Sequence, residues 1–171
     1  AKIIPIDQSV GTILAHDITE IRPGQFKGPA FKKGHIIRES DVPHLKRVGK
    51  EHLYVLHLEP GEVHEDDAAL RLATLLAGRG VFFDPHPSEG KIQLKASHRG
   101  LFKVDVAALT RINLVPDISC SARHTNTVVE QGDIIAGMRA IPLIIDEEHL
   151  QRAEKVALET DDFFSVKPFL A

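Results

Sequence analysis

The chain has 171 residues, of which 43% are hydrophobic, and a formal net charge of -3. This composition predicts one globular domain or two small lobes, and it excludes general disorder and the basic character of a nucleic-acid-binding protein. The single cysteine, Cys120, excludes an internal disulfide framework, and no apolar run has the ~20 residues that a membrane-spanning helix needs. No secretory signal opens the chain, so the sequence predicts a cytoplasmic protein.

The first part of the chain is predicted to be extended. Apolar and polar residues alternate imperfectly over 1–21, which indicates strands that are covered on both faces. The segment 22–30, RPGQFKGPA, contains the Pro-Gly and Gly-Pro pairs of a loop. A short strand is predicted over 30–37, with a turn at Gly34.

Apolar residues at helical spacing predict about four helices. The clearest covers 65–77, where three acidic residues match the positive end of the helix dipole. The others are expected to begin after Ser40, Asp105 and Asp146, whose side-chain oxygens can cap a helix N-terminus.

Further strands are predicted on either side of these helices. The strand pattern at 92–96 is followed by a turn and a second apolar segment at 101–104, which together predict a hairpin. The apolar segment 134–145 contains Gly137 and Pro142, which favour a bulge or an edge position. Strands are also expected over 52–58 and 118–122.

Two short segments of the chain resemble each other. AFKKGHII (30–37) and VVEQGDII (128–135) each place a glycine between two apolar pairs, which predicts related strand-turn-strand units, although eight residues do not establish a duplication. These units predict a small barrel-like or clip-like β-element. The overall expectation is an α+β fold of short-stranded β-hairpins with about four packed helices. A division into two lobes, with breaks near residues 60 and 125, is the alternative to one domain.

The familiar signatures of catalysis and metal binding are missing from the sequence. Ten histidines are present, but they form no HExxH motif and no cysteine pair accompanies them. There is no GxSxG, GxxxxGK[ST] or GxGxxG sequence, and Cys120 sits in a strand pattern that predicts a small core residue. The sequence therefore predicts neither a catalytic residue nor a metal site.

Two polar loops are the candidate ligand-binding segments. The first joins a hydroxyl, a flexible glycine and a cation, which suits contact with an anion, although a hairpin approach with a solvated lysine is the simpler interpretation. The second is a run of polar residues between strands, which is either a polar site or an exposed connection. The candidates are Ser88, Glu89, Gly90 and Lys91 in the first loop and His124, Thr125 and Asn126 in the second.

Over residues 3–158, the chain resembles the N-terminal region of molybdopterin-binding proteins related to molybdopterin molybdotransferase. The resemblance rests on the order of five segments along the chain. They are IIPIDQSVGTILAHDITEI, GPAFKKGHIIRESDVPHLKRVGKEHLYVL, GEVHEDDAALRLATLLAG, PSEGKIQLKA and HTNTVVEQGDIIAGMRAIPLIID.

The resemblance implies that 1–160 is an accessory region and that 161–171 begins the linker to a missing C-terminal molybdopterin-binding domain. It implies no cofactor in this chain, and molybdopterin, with magnesium or molybdate, in the parent protein. It also implies a homodimer, while the charge balance and the lack of a long apolar run predict no nucleic-acid or membrane partner. The two polar loops are then expected to form the wall of a ligand cleft, and this expectation assigns cofactor contacts to Ser88, Glu89, Gly90, Lys91, His124, Thr125 and Asn126.

One departure from the family pattern concerns its activity. Molybdotransferases carry a segment like PPFDNSAMDGYA where this chain reads RPGQFKGPAFKKG, so the acidic and serine-containing elements are missing and metal insertion is in doubt. The sequence therefore predicts a non-catalytic module that shapes a ligand cleft and assists dimerisation, while a transferase activity of the parent stays open. Two alternatives remain, a β-clip domain that binds a sugar acid or another small anion, and a purely structural dimerisation domain.

Overall fold

The computed structural model describes residues 1–22, 24 and 26–170, and the chain divides into two compact units, Ala1–Glu59 and Pro60–Ala171. The described residues form four α-helices and many short antiparallel strands in small sheets, which confirms the predicted α+β class. No sheet within these residues closes into a barrel. Residue 125 lies inside the second unit. None of the four helices is long and apolar enough to cross a membrane.

The first unit is built from short strands and one helix. Its described elements are β1 (Lys2–Pro5), β2 (Ile13–Leu14), β3 (Ile18–Arg22), β4 (Phe26–Phe31), α1 (Val42–Arg47) and β5 (His52–Leu56). Strand β5 lies between β1 and β2 in one antiparallel sheet, and β3 pairs with β4 in a two-stranded ribbon. Buried Ile6, Leu14, Leu45 and Val55 form the centre of the core of this unit.

The segment 22–30, predicted to be a loop, is largely a strand. Strand β4 begins at Phe26 and pairs with β3, with Pro29 opposite Thr19. A two-stranded ribbon has free edges on both sides, so a proline without an N–H is tolerated there. Pro23 and Gln25 of the predicted loop lie outside the described residues.

Helix α1 begins where the sequence predicts, but Ser40 is not its capping residue. A single 3-10 turn, Glu39–Asp41, precedes the helix, and the Arg38 N–H donates to Asp41 Oδ2 over 2.9 Å. The same oxygen is 2.7 Å from His35 Nε2. Burial alone would raise the pKa of Asp41, but the bonds from His35 and Arg38 outweigh it and hold this pKa below its ordinary value.

The second unit contains the larger core. Its described elements are β6 (Glu62–His64), α2 (Glu65–Leu76), β7 (Val81–Phe82), β8 (Lys91–Ala96), β9 (Gly100–Val104), α3 (Val106–Asn113), β10 (Ile118–Ala122), β11 (Thr127–Val129), β12 (Ile134–Ala140), β13 (Ile144–Asp146), α4 (Glu147–Leu158) and β14 (Phe164–Lys167). A four-stranded antiparallel sheet has the order β10-β12-β8-β7, and a three-stranded sheet has the order β11-β9-β14. Strands β13 and β6 form a further pair.

Helices α2 and α4 pack through small and branched apolar residues. Leu72 and Leu76 of α2 and Leu150 of α4 are each at most 1% exposed. At the surface, the Arg71 guanidinium joins the two helices by donating to both carboxylate oxygens of Glu147 and of Glu154 over 2.8–2.9 Å. The apolar contact holds the two helices together, and the bidentate, charge-assisted bonds of Arg71 add a geometrically specific link between them at the surface.

The hairpin predicted from 92–96 and 101–104 does not form. Strand β8 pairs with β12 and β7, whereas β9 pairs with β11 and β14. The chain between β8 and β9 therefore passes from one sheet to another instead of folding back. Local turn signals cannot distinguish these two outcomes, because both need the same bend.

The apolar tail is part of the second unit, although the sequence predicts a linker from residue 161 that frays. Phe163 and Phe164 are at most 1% exposed, and β14 is antiparallel to β9. The Phe164 ring stacks on Phe102 with centroids 6.0 Å apart. At Gly100, a Cβ would lie 2.2 Å from the Lys167 carbonyl oxygen, which shows how closely the two strands approach.

The two similar eight-residue segments make the same turn in the two units. Gly34 and Gly132 have φ angles of +90° and +83°, which an L side chain rarely adopts. The N–H of each glycine donates over 2.8 Å to the carbonyl of a residue elsewhere in its unit, Leu14 for Gly34 and Ala96 for Gly132. In return, the Leu14 N–H donates to the His35 carbonyl over 3.0 Å, and the Ala96 N–H donates to the Asp133 carbonyl over 2.9 Å.

The side chain of Asn113 covers the outer edge of β10. Its Nδ2 donates to the Cys120 carbonyl and its Oδ1 accepts from the Cys120 N–H, each over 2.8 Å. Both backbone groups at the middle of this edge strand are therefore satisfied within the second unit.

Candidate functional site

A groove of about 510 Å³ lies on the outer face of the four-stranded sheet of the second unit. Its volume is in the range of small-molecule sites, roughly 300–1,000 Å³. Strands β8, β10 and β12 supply most of its lining. The lining side chains that point outward from the sheet include Lys91, Gln93, Ser119, Ser121 and Arg139.

Alternation along β8 and β10 produces most of the polar face, while β12 has a bulge between Ile134 and Ala136. In β10, exposed Ser119 and Ser121 flank buried Cys120, and in β8, exposed Lys91 and Gln93 flank buried Ile92. Because neighbouring side chains in a strand point to opposite faces, the apolar set fills the core and the polar set lines the groove.

The strand register arranges the outward side chains in rows across the sheet. Ser119 lies opposite Arg139, which in turn lies opposite Lys91. The next row contains Ser121, Gly137 and Gln93 in the same order of strands. We call the row of Lys91, Arg139 and Ser119 the cationic row.

Gly137 forms the floor of the groove. A Cβ at this position would meet only ordinary contacts, 3.7 Å to the Ile92 carbonyl oxygen and 3.9 Å to Ser121 Oγ. The space above Gly137 is therefore open because the residue has no side chain. A larger residue would fit the backbone but would occupy the groove.

The cations of the groove differ in their partners. Arg123 Nε donates to the Ile134 carbonyl over 2.7 Å, and its guanidinium is 3.6 Å from an Asp133 oxygen. Within the described part of the chain, neither Lys91 nor Arg139 makes a side-chain hydrogen bond or ion pair. These two cations are thus available to an anionic ligand.

The pKa of Glu65, a carboxyl group near Arg139, differs from its ordinary value. Burial, aided by the Asp66 carboxylate, raises the pKa of Glu65, while the charge of Arg139 acts in the opposite direction. The charge of Arg139 is therefore close enough to affect the pKa of Glu65, although the two side chains form no ion pair.

Of the first predicted loop, Lys91 lines the groove. Ser88 and Lys91 close a tight turn by exchanging backbone hydrogen bonds of 3.2 and 3.1 Å, with Glu89 and Gly90 at φ +53° and +68°. Gly90 is buried, and its N–H donates to Asp66 Oδ1 over 2.7 Å, so it holds the turn in place. Ser88 and Glu89 line a neighbouring depression of about 360 Å³, which also includes Lys91.

The second predicted loop makes hydrogen bonds to the end of β9 instead. Thr125 Oγ1 accepts from the Val104 N–H over 3.2 Å, and Lys103 Nζ donates to Asn126 Oδ1. Asn126 has a φ of +66° and closes the turn. His124, Thr125 and Asn126 are absent from the lining of the groove, so the structure does not bring the two predicted loops into one site.

Sequence reasoning missed Arg139, Gly137, Gln93 and the two serines. The signal in the sequence was the alternation of polar residues in KIQLKA and ISCSA, which marks one face of each strand as exposed. The alternation does not show that β8 and β10 both pair with β12, because strand pairing depends on residues that are far apart in the sequence.

Metal binding and nucleophilic chemistry gain no support from the remaining residues. In the described ranges, no group of three or more His, Cys, Asp or Glu side chains is arranged to hold a metal ion. Cys120 is 4% exposed, and burial raises the pKa of its thiol to about 12. The thiol is therefore protonated near neutral pH.

Comparison with known proteins finds a match for the first part of the chain. Residues 3–57 match a family model described as a domain of unknown function, DUF8806. The matched range lies within the first unit and covers less than half of the chain. No curated protein and no solved structure matches the chain.

Proposed function

We propose that this chain is a non-catalytic binding module of a molybdenum-cofactor protein, and that its second unit holds a molybdopterin-like ligand in the sheet groove. The observation that carries the proposal is the pair of unpartnered cations, Lys91 and Arg139, beside the open floor at Gly137. The resemblance of the sequence to molybdopterin-binding proteins gives the identity of the ligand.

The residues of the groove fit the chemistry of such a ligand. Molybdopterin combines a phosphate ester with a flat heterocycle that carries amide-like donors and acceptors. Lysine and arginine are the usual partners of phosphate, and the arginine fork can bind two phosphate oxygens at once. Ser119, Ser121 and Gln93 each offer both a donor and an acceptor to the ring. When bound, the dithiolene sulfurs of the cofactor would supply the metal-binding chemistry, while these residues hold the phosphate and the ring.

The setting of the module is inferred from the same resemblance. It would act beside a separate cofactor-binding domain, in a homodimer, in the cytoplasm. The module would contribute one wall of the ligand cleft and leave any bond-breaking step to its neighbour.

The test is isothermal titration of the chain with molybdopterin, under anaerobic conditions, for the wild type and a Gly137→Val variant. Valine suits a strand and its Cβ meets no close contact, so the fold should be retained while the methyl groups fill the floor. We expect affinity to fall by at least about tenfold, or ~1.4 kcal/mol. Thr19→Val, on an exposed strand position of the first unit, is the matched control and should bind like the wild type.

A second pair of variants locates the contact. Lys91→Ala should weaken binding, whereas His124→Ala should leave it unchanged, because His124 lies outside the groove lining. Equal affinity in wild type, Gly137→Val and Lys91→Ala would remove the groove from the binding site. Failure of the wild type to bind molybdopterin would overturn the proposal. In that case binding of a sugar acid would support the β-clip alternative, and self-association without any ligand would support a structural dimerisation domain.

A further inference from the structure

The outward face of the sheet continues past the groove to strand β7. Phe82 of β7 lies opposite Lys95 of β8, and Lys95 lies opposite Ile134 of β12. Residues opposite one another in an antiparallel pair point to the same face, so these three side chains form another row. We call the row of Phe82, Lys95 and Ile134 the apolar row.

Two members of the apolar row are hydrophobic yet exposed. The exposed fractions of Phe82 and Ile134 are 46% and 44%. They flank Lys95, whose methylene stem can itself cover an apolar surface while its ammonium stays in water. A flat ring placed over the Lys95 stem would contact Phe82 on one side and Ile134 on the other.

The apolar row and the cationic row lie at opposite ends of the same face. Lys91 and Lys95 belong to the same strand, four residues apart, which corresponds to ~13 Å at about 3.3 Å per residue. The row that contains Gly137 lies between them and leaves the path open. The face thus has one end with two cations outside any ion pair, an open centre, and another end where Phe82 and Ile134 flank Lys95 beside Arg123, which is paired with Asp133.

We propose that this face binds the phosphate ester of a flat heterocycle in one orientation, with the phosphate on Lys91 and Arg139 and the ring against the apolar row. This inference rests on the proposed function and adds the orientation of its ligand. Charge complementarity assigns the phosphate to this end, because Lys91 and Arg139 lie opposite each other and neither makes an ion pair or a side-chain hydrogen bond within the described residues, whereas Arg123 at the other end is paired with Asp133. The two exposed apolar side chains then fix the ring end.

The orientation can be tested with two fluorescent probes that differ only in the phosphate. They are 6-hydroxymethylpterin and its phosphate ester, titrated by fluorescence into wild type, Lys91→Ala and Ile134→Thr. Lys91→Ala should weaken the ester by about tenfold, the value of one charge-assisted hydrogen bond, and leave the alcohol unchanged. Ile134→Thr should weaken both probes by a similar factor, because each carries the ring.

Lys103→Ala is the matched control, since it removes a lysine of the same unit that donates to Asn126 and lies outside the groove lining. It should bind both probes like the wild type. Adenosine monophosphate, titrated in parallel, distinguishes a pterin from a nucleobase. Thermal unfolding of each variant shows that the fold is intact.

The outcomes separate this inference from the proposed function. If Lys91→Ala weakened ester and alcohol equally, or if Ile134→Thr changed neither, the orientation would be wrong while groove binding would stand. If the wild type bound molybdopterin but neither pterin probe, the orientation would again be overturned. If nothing bound, molybdopterin included, both proposals would fall.

Discussion

The Phe164→Ala substitution tests whether the tail of the chain belongs to the second unit. Phe164 is 0% exposed, stacks on Phe102 with centroids 6.0 Å apart, and meets Phe163 edge to face at 4.9 Å. Removing a buried phenylalanine ring costs about 3–5 kcal/mol, because apolar contacts are lost and a cavity remains. Domains of this size are stable by roughly 5–15 kcal/mol, so we expect a large decrease in the free energy of unfolding.

The assay is unfolding in guanidinium chloride followed by far-ultraviolet circular dichroism, together with hydrogen exchange of the peptides from β9 and β14. Tyrosine fluorescence is unsuitable, because Tyr54 lies in the first unit. Phe169→Ala is the control: Phe169 is 51% exposed and contacts the Arg99 guanidinium at 5.8 Å, so its loss should cost less than about 1 kcal/mol. Equal effects of the two substitutions, with unchanged exchange in β14, would refute the assignment of the tail to the core.

Three further predictions concern single side chains. Asp105→Ala should destabilise the second unit by about 1 kcal/mol in chemical unfolding, because Asp105 Oδ1 caps α3 by accepting from the Ala108 N–H over 2.9 Å; no change would argue against this cap. Cys120, with a pKa of about 12, should resist iodoacetamide at pH 8 in the folded protein and react in 6 M guanidinium, as mass spectrometry can show; fast labelling of the folded protein would contradict its burial. The pKa of Asp41 is lowered in the folded state, so its contribution to stability is present above the unfolded value of ~3.9 and is lost as the pH falls through the folded value. Asp41→Asn should therefore flatten the acid dependence of unfolding followed by Tyr54 fluorescence, and an unchanged slope would show that the His35 contact does not contribute.

Local signals predicted the helices of the second unit well. Each needs only a capping residue and an apolar stripe within a dozen residues of sequence. Asp146 shows this, since its Oδ1 accepts from the Glu148 N–H over 3.0 Å at the start of α4, and Leu150, Ala153 and Ala157 are buried. These interactions lie inside one element, so the sequence that encodes them is contiguous.

Strand partners were harder to predict, because pairing is decided at a distance. The segments 92–96 and 101–104 have the alternation of a hairpin, yet they pair with strands of two different sheets. The tail beyond 161 was misjudged for the same reason. Its apolar character is explained by β9 and Phe102, which lie about sixty residues earlier in the chain. By contrast, the similarity of the segments around Gly34 and Gly132 predicted a shared turn, since a positive φ at glycine is a local requirement.

The candidate site was predictable only in part. Lys91 was identified from a local combination of a hydroxyl, a glycine and a cation. Arg139 and Gly137 enter the site through the register of β12 between β8 and β10, which the order of residues along the chain does not reveal. Of the second predicted loop, Thr125 and Asn126 make side-chain hydrogen bonds to Val104 and Lys103 at the end of β9, and His124 lies outside the groove lining.

The bonds of Asn113 to the edge of β10 have a consequence for how copies of the chain can associate. One primary amide imitates the peptide group of an additional strand, so the edge is already occupied at its middle residue. Sheet edges that lack such protection are sites of strand addition and aggregation. The Asn113 side chain thus hinders the addition of a strand from another copy of the chain at this edge. A homodimer of this protein would then be built on side-chain contacts rather than on a sheet continued through β10.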